Sequence, residues 1–176
     1  MKAHRETAVT AAFEAGRAIL EIYHSGDFDV TIKGDDSPLT RADVASHEVI
    51  MRHLIPTGIP VLSEEGREMP YEERSEWREL WIVDPIDGTK EFIKRNGEFT
   101  VNIALVRDGV PVLGVIYVPV SGELYVGAAE EGAVKAQCLT VDGGSPLEAL
   151  AQAVRIPLAK TGRPYTAVAS RSHMSP

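Results

Sequence analysis

The chain has 176 residues, 44% hydrophobic, 25% charged and 6% aromatic, which is enough for one ordinary globular domain with a sizeable core. A net charge of -8 argues against nucleic acid or an anionic membrane surface as partner, because either needs clustered cations. It also leaves any phosphorylated substrate in need of local positive charge, for which a bound metal is the obvious source.

The opening segment lacks the uninterrupted apolar core and cleavage site of a signal peptide. Residues 6–25 read instead as an amphipathic helix, with Val9, Ala12, Phe13, Gly16, Ile19, Leu20 and Tyr23 at helical spacing and Ser25-Gly26 ending it. Lys33 to Pro38 is turn-rich and polar, an exposed loop. A second helix is expected from Thr40 to Leu54, with Val44, His47, Ile50, Met51 and Leu54 on its inner face and Pro56-Thr57-Gly58 closing it. The pattern then turns to strands. Val61-Leu62 and Leu80–Val83 are short apolar runs that lead straight into acidic residues. Phe99–Val106 alternates, Asp108-Gly109 signals a hairpin, and Val112–Val118, Leu124–Gly127 and Val134–Leu139 follow across further turns.

Successive hairpins imply an antiparallel meander packed on two N-terminal helices, an α+β layer architecture. The lone cysteine, Cys138, rules out an intrachain disulfide, fits a cytoplasmic setting and reads as a small buried side chain. No apolar run approaches the roughly 18 residues of a membrane span. After a Pro/Gly-containing linker, Thr166–Ser170 reads as a buried strand and Ser175-Pro176 as a helix start with no helix written after it. That ending suggests a chain cut short. The expected division is an N-terminal metal- and phosphate-binding unit over 1–156, then the linker and first strand of a truncated α/β domain over 157–176.

Two acidic groups stand at strand ends: Glu64-Glu65, and Asp84 with Asp87. Taken alone, Glu64-Glu65 read more simply as solvated loop residues. In Asp84-Pro85-Ile86-Asp87-Gly88-Thr89, Pro85 fixes the backbone between the carboxylates, Gly88 permits a tight turn, and Thr89 can open a short helix from Lys90 to Arg95. Two fixed carboxylates and the Ile86 carbonyl are hard oxygen ligands of the kind Mg²⁺ prefers, and a following helix N-terminus offers N–H groups to a phosphate. Metal and phosphate would then share one turn, as metal-assisted phosphate hydrolysis requires.

Trp81–Phe92, WIVDPIDGTKEF, resembles the signature of the inositol monophosphatase superfamily, and its Lys90-Glu91-Phe92 ending resembles the bacterial bisphosphate nucleotidase branch. Ser37–Asp43, Val61–Gly66 and Ala169–Pro176 agree with that likeness. The resemblance implies a layered αβ(αβα) sugar-phosphatase fold and a lithium-sensitive hydrolase of sulfur assimilation using two or three Mg²⁺ per site. Its implied substrate is a small phosphorylated nucleotide, adenosine 3′,5′-bisphosphate, with the sulfated precursor as a further candidate. An inositol-1-phosphate phosphatase and a truncated, non-catalytic metal- and phosphate-binding module are the alternatives.

Carried over position by position, the resemblance assigns Glu64, Asp84 and the Ile86 carbonyl to a first metal, and Asp84 and Asp87 to a second. Thr89, oriented by Asp43, would act with Glu64 on the attacking water, while Gly88 and Thr89 N–H groups hold the phosphate. Asp43 also has capping-box spacing from Thr40, a structural reading that weakens only because Thr89 is present. Ser170 and His173 match nucleotide-contacting positions, though His173 reads equally as an exposed residue near a helix cap. Lys33 and Asp36 match a mobile loop over the site and read equally as a solvated loop. A downstream W-D-x-A-A block that carries a further aspartate in the family does not occur in this chain. The resemblance implies a cytoplasmic protein, and leaves open a homodimer and peripheral attachment to the inner face of the membrane.

Overall fold

Ala8, Val9, Ala12, Phe13, Gly16, Ile19, Leu20 and Tyr23 recur at helical spacing. In the computed structural model, which describes residues 1–32, 34, 38–138 and 144–157, they form the buried stripe of helix α1 (Lys2–Ser25). The helix begins at Lys2, ahead of the predicted start, because tertiary contacts hold its first turn. The His4 ring stands edge-on to Trp81 with centroids 5.9 Å apart, and Arg5 pairs with Glu131.

Two short strands, β1 (Thr31–Ile32) and β2 (Pro38–Leu39), pair antiparallel on either side of the polar loop; Lys33 and Asp36 lie outside the described residues. Helix α2 (Arg41–Leu54) follows, capped by Thr40. Its inner face departs from expectation. Ile50 and Leu54 are buried as predicted, but Val44 is 42% exposed and His47 and Met51 are half-buried. The buried positions are Ala42, Asp43, Ser46, Val49, Ile50 and Leu54. The apolar stripe lost because Asp43 and Ser46 turn inward to hydrogen-bond with Thr89 and Pro85.

Among the described residues seven strands make one sheet in chain order: β3 (Val61–Ser63), β4 (Glu79–Asp87), β5 (Thr100–Arg107), β6 (Val110–Val118), β7 (Glu123–Ala128), β8 (Gly132–Gln137) and β9 (Val154–Ile156). From β4 onward every pairing is antiparallel, as the hairpin signals imply. The β5–β6 turn uses positive φ at both Asp108 (48°) and Gly109 (77°), the backbone that matches the twist of paired strands. Strand β3 runs parallel to β4, reached through α3 (Tyr71–Arg74), and this the hairpin reading did not anticipate. Helix α4 (Thr89–Ile93) follows β4, and α5 (Pro146–Ala151) precedes β9; neither α5 nor β9 was expected. The predicted strand at Thr166–Ser170 lies outside the described residues.

One face of the sheet, carrying Trp81, Val83, Ile103, Leu105, Val115, Tyr117 and Val126, joins the α1 and α2 stripes in a single core. The alternate positions look the other way, with Ile82 42% and Ile116 45% exposed. Cys138 is buried, burial pushes its thiol pKa up, and its carbonyl accepts the Tyr117 hydroxyl at 2.8 Å. Among the described residues no helix is long and apolar enough to cross a membrane.

Candidate metal and phosphate site

The parallel pairing of β3 and β4 brings two strand ends side by side, in register from Val61 opposite Trp81 to Ser63 opposite Val83. Glu64 follows the last pair, and its N–H donates to the Val83 carbonyl at 3.0 Å, so Glu64 and Asp84 emerge as neighbours. The turn after them is tight, with the Gly66 N–H donating to the Ser63 carbonyl at 3.0 Å.

On its other side β4 pairs with β5, and there the ladder breaks. Asp84 lies opposite Asn102 and Asp87 opposite Thr100, so β4 spends one more residue than its partner. A bulge of this kind bends the strand and re-aims its side chains. Pro85 and Ile86 are buried within it while Asp87 points to solvent. Gly88 then takes φ 101°, a left-handed backbone, and a Cβ there would meet the Glu98 carbonyl oxygen at 2.9 Å. Only glycine makes that turn without displacing the chain. The next residue, Thr89, starts α4, whose first turn carries no side-chain cap.

Burial and like charge together shape the carboxylates. Asp84 is pushed up from 3.8 to about 7, first by burial, then by the negative charges of Glu64 and Asp87 and by a hydrogen bond with Glu64; a backbone hydrogen bond at Ile86 opposes this. Its Oδ1 is buried without a hydrogen-bond partner. A buried acceptor with no donor, set between two further carboxylates, fits a cation: bound charge would satisfy the oxygen and relieve the repulsion. Among the described residues no group of three or more acidic, histidine or cysteine side chains stands placed to hold a metal ion. The Ile86 carbonyl, between Asp84 and Asp87 in the chain, is a hard oxygen of the same turn and accepts the Thr89 hydroxyl at 3.2 Å.

Asp43 forms the cap that its spacing implies and also touches Thr89, because its two oxygens take different partners. Oδ2 accepts the Thr40 N–H at 2.8 Å and the Thr40 hydroxyl at 2.5 Å, completing the capping box of α2. Oδ1 accepts the Thr89 hydroxyl at 3.2 Å, and the Ile86 carbonyl lies 3.2 Å from the same hydroxyl. Asp43 is only 1% exposed; burial raises its pKa, and hydrogen bonds from Thr40 and Thr89 pull it back down.

Asn102 completes the site from β5 and was missed in the sequence. Its Nδ2 donates to Asp87 Oδ2 at 3.0 Å, while its own Oδ1 accepts the Thr100 hydroxyl at 3.0 Å. The signal was there in the alternation of Phe99–Val106, whose polar members, Thr100 and Asn102, fall on the face that carries the bulge. Glu64, Asp84, Ile86, Asp87, Gly88, Thr89 and Asp43 are therefore gathered at one end of the sheet. Ser170 and His173 lie outside the described residues.

Comparison with known proteins bears on what such an arrangement belongs to. The 3′(2′),5′-bisphosphate nucleotidase CysQ of Escherichia coli O157:H7 is 54% identical over 131 residues, covering 72% of this chain and 52% of the relative. The chain thus spans about half the length of that relative. The crystal structure of CysQ from Bacteroides thetaiotaomicron, described as a bacterial member of the inositol monophosphatase family, superposes with a TM-score of 0.86 at 49% identity. That match covers 100% of this chain and 65% of the other. The extragenic suppressor protein suhB of Bartonella henselae superposes with a TM-score of 0.69 at 32% identity, over 76% of this chain and 52% of that one. With the family model matching residues 1–172, the chain belongs to the inositol monophosphatase family.

Proposed function

We propose that this chain carries the metal- and phosphate-binding half of a Mg²⁺-dependent phosphatase that removes the 3′-phosphate of adenosine 3′,5′-bisphosphate. The observation that carries the reading is the partnerless Asp84 Oδ1, buried between Glu64 and Asp87 at the mouth of a bulged turn. The choice of substrate is supported by a relative, 54% identical, that bears the name of a bisphosphate nucleotidase. The division at 156/157 is retained as part of the proposal, with β9 ending at Ile156 in its support.

Glu64, Asp84 and the Ile86 carbonyl would hold one cation, and Asp84 with Asp87 a second. The ions, when bound, supply charge that stabilises the in-line transition state and lowers the pKa of water. The chain's own residues do the rest. Asn102 fixes one oxygen of Asp87, leaving the other free to ligate. Thr89 Oγ1 donates to Asp43 Oδ1, which leaves its lone pairs to accept a hydrogen bond from the attacking water; as a water proton passes to Oγ1, the hydroxyl proton passes on to the Asp43 carboxylate. Glu64, exposed at the strand end, orients that water from the other side. The Gly88 and Thr89 N–H groups, at the start of α4 where no side chain caps the helix, would donate to the phosphate.

The test is turnover by the protein expressed from its complete gene, with Mg²⁺, on adenosine 3′,5′-bisphosphate and on inositol 1-phosphate. Preference for the nucleotide is expected. Preference for inositol 1-phosphate would replace the substrate, and no turnover of either would leave a binding module. LiCl should inhibit more strongly than KCl at equal ionic strength.

A further inference from the structure

The candidate site draws its carboxylates from two segments of the chain, Glu64 directly after β3 and Asp84 within β4. Something must hold the segments that carry them. Those segments are two different strand ends, joined through the β3–β4 pairing.

Helix α2 supplies the restraint, through three residues on one face. Asp43, Ser46 and His47 have the i, i+3, i+4 spacing that stacks side chains along a helix. Asp43 reaches Thr89, at the start of α4. Ser46, wholly buried, donates its hydroxyl to the Pro85 carbonyl at 2.8 Å, where the ladder between β4 and β5 breaks. His47 Nδ1 and the buried Ser63 Oγ share a hydrogen bond of 2.9 Å. Pro85 follows Asp84 directly, and Ser63 directly precedes Glu64. One rigid helix therefore grips the chain next to both Glu64 and Asp84.

We propose that Ser46 and His47 are positioning residues of the metal site, holding the Glu64 and Asp84 backbones at the separation a single cation needs. The inference rests on the metal-site reading above. It matters most for Mg²⁺ because that ion demands near-ideal octahedral geometry and tolerates loose ligands badly. Neither residue touches the ion or the phosphate. Their effect passes through Pro85 and Ser63, so losing them should weaken binding without abolishing it.

Mn²⁺ serves as the probe, followed by the electron paramagnetic resonance signal of the free ion during titration of the 176-residue chain. Each variant is measured well below its own thermal midpoint, so that affinity is read from folded protein. His47→Ala and Ser46→Ala should each raise the Mn²⁺ Kd roughly 10-fold, the size typical of a lost partner behind a metal ligand. His47→Asn, whose amide occupies the place of Nδ1, should stay within about threefold of the unsubstituted chain. His47→Gln, which mimics Nε2, should not rescue. His47 is half-buried, so its series remains folded where the wholly buried Ser46→Ala is poorly stable, and the His47 series decides the outcome. An unchanged Kd in His47→Ala overturns the positioning role, and so does failure of Asn to outperform Gln. Absence of Mn²⁺ binding by the unsubstituted chain overturns the metal-site reading itself, and the positioning role with it.

Discussion

Asp84 answers to two opposed demands, and pH separates them. Its pKa is raised to about 7 from 3.8, so the stability it contributes to the metal-free fold is fully present below 3.8 and is lost as pH rises through about 7. The metal-free chain should therefore melt at a lower temperature near pH 8 than near pH 5, and Mg²⁺ should recover part of the difference at the higher pH. Asp84→Asn, which keeps the shape and removes the charge, should flatten that pH dependence. Near pH 8 it should stabilise the metal-free chain by about 1 kcal/mol, a figure discounted for partial exposure. In the complete enzyme the same change should cut phosphate release by about 10³-fold or more. Thermal melts with chelator or Mg²⁺, beside a phosphate-release assay, check both halves; a variant less stable without metal yet fully active would contradict the assignment. Gly88 allows a simpler test. Gly88→Ala must accept φ 101° and a Cβ 2.9 Å from the Glu98 carbonyl, and should cost roughly 2 kcal/mol or more by denaturant titration.

At the scale of elements, α4 is too short to hold itself and is fastened by aromatic packing. Phe92, wholly buried, lies 4.8 Å from Phe28 and 5.3 Å from both Tyr23 and Phe99, centroid to centroid. Phe92→Ala should therefore cost about 3–5 kcal/mol and release the turn that carries Thr89, seen as a lowered midpoint together with weaker metal binding. The sequence made most of these elements readable where a periodic pattern ran long enough: α1, α2 and the β5–β6–β7–β8 hairpins. It misdirected the inner face of α2, because Val44, His47 and Met51 form as regular an apolar stripe as the true one. What decides between the two faces is the pair of hydrogen bonds from Asp43 and Ser46 to residues far along the chain. The parallel β3–β4 pair escaped for a related reason, since pairing across a crossover leaves no turn signal. Of the site, the Asp84–Thr89 turn was legible from its own residues, while Asn102, Ser46 and His47 act only through partners that folding brings near.

For the whole molecule, the sheet predicts where local opening starts. Strands β5, β6 and β7 lie at its centre and hold Ile103, Leu105, Leu113, Val115, Tyr117 and Leu124, each no more than 2% exposed. Among the described residues β3 and β9 are three-residue edge strands. Amide hydrogen exchange should accordingly be slowest in β5–β7 and fastest at β9, with Mg²⁺ adding protection at the β3 and β4 ends; uniform protection across the sheet would contradict this. The same strand order governs synthesis. Every strand from β4 to β9 pairs with the one made just before it, so the sheet can grow as the chain leaves the ribosome, each new strand finding its template in place. Helix α1 is covered in two stages. It packs on α2, made soon after it, and on β5 and β6, so until residues as far as Val118 have been translated the side carrying Phe13 and Gly16, which meets Tyr117, has no floor to lie on. During that interval the aromatic side of α1 is apolar surface open to water, and it is there that a chaperone would take hold.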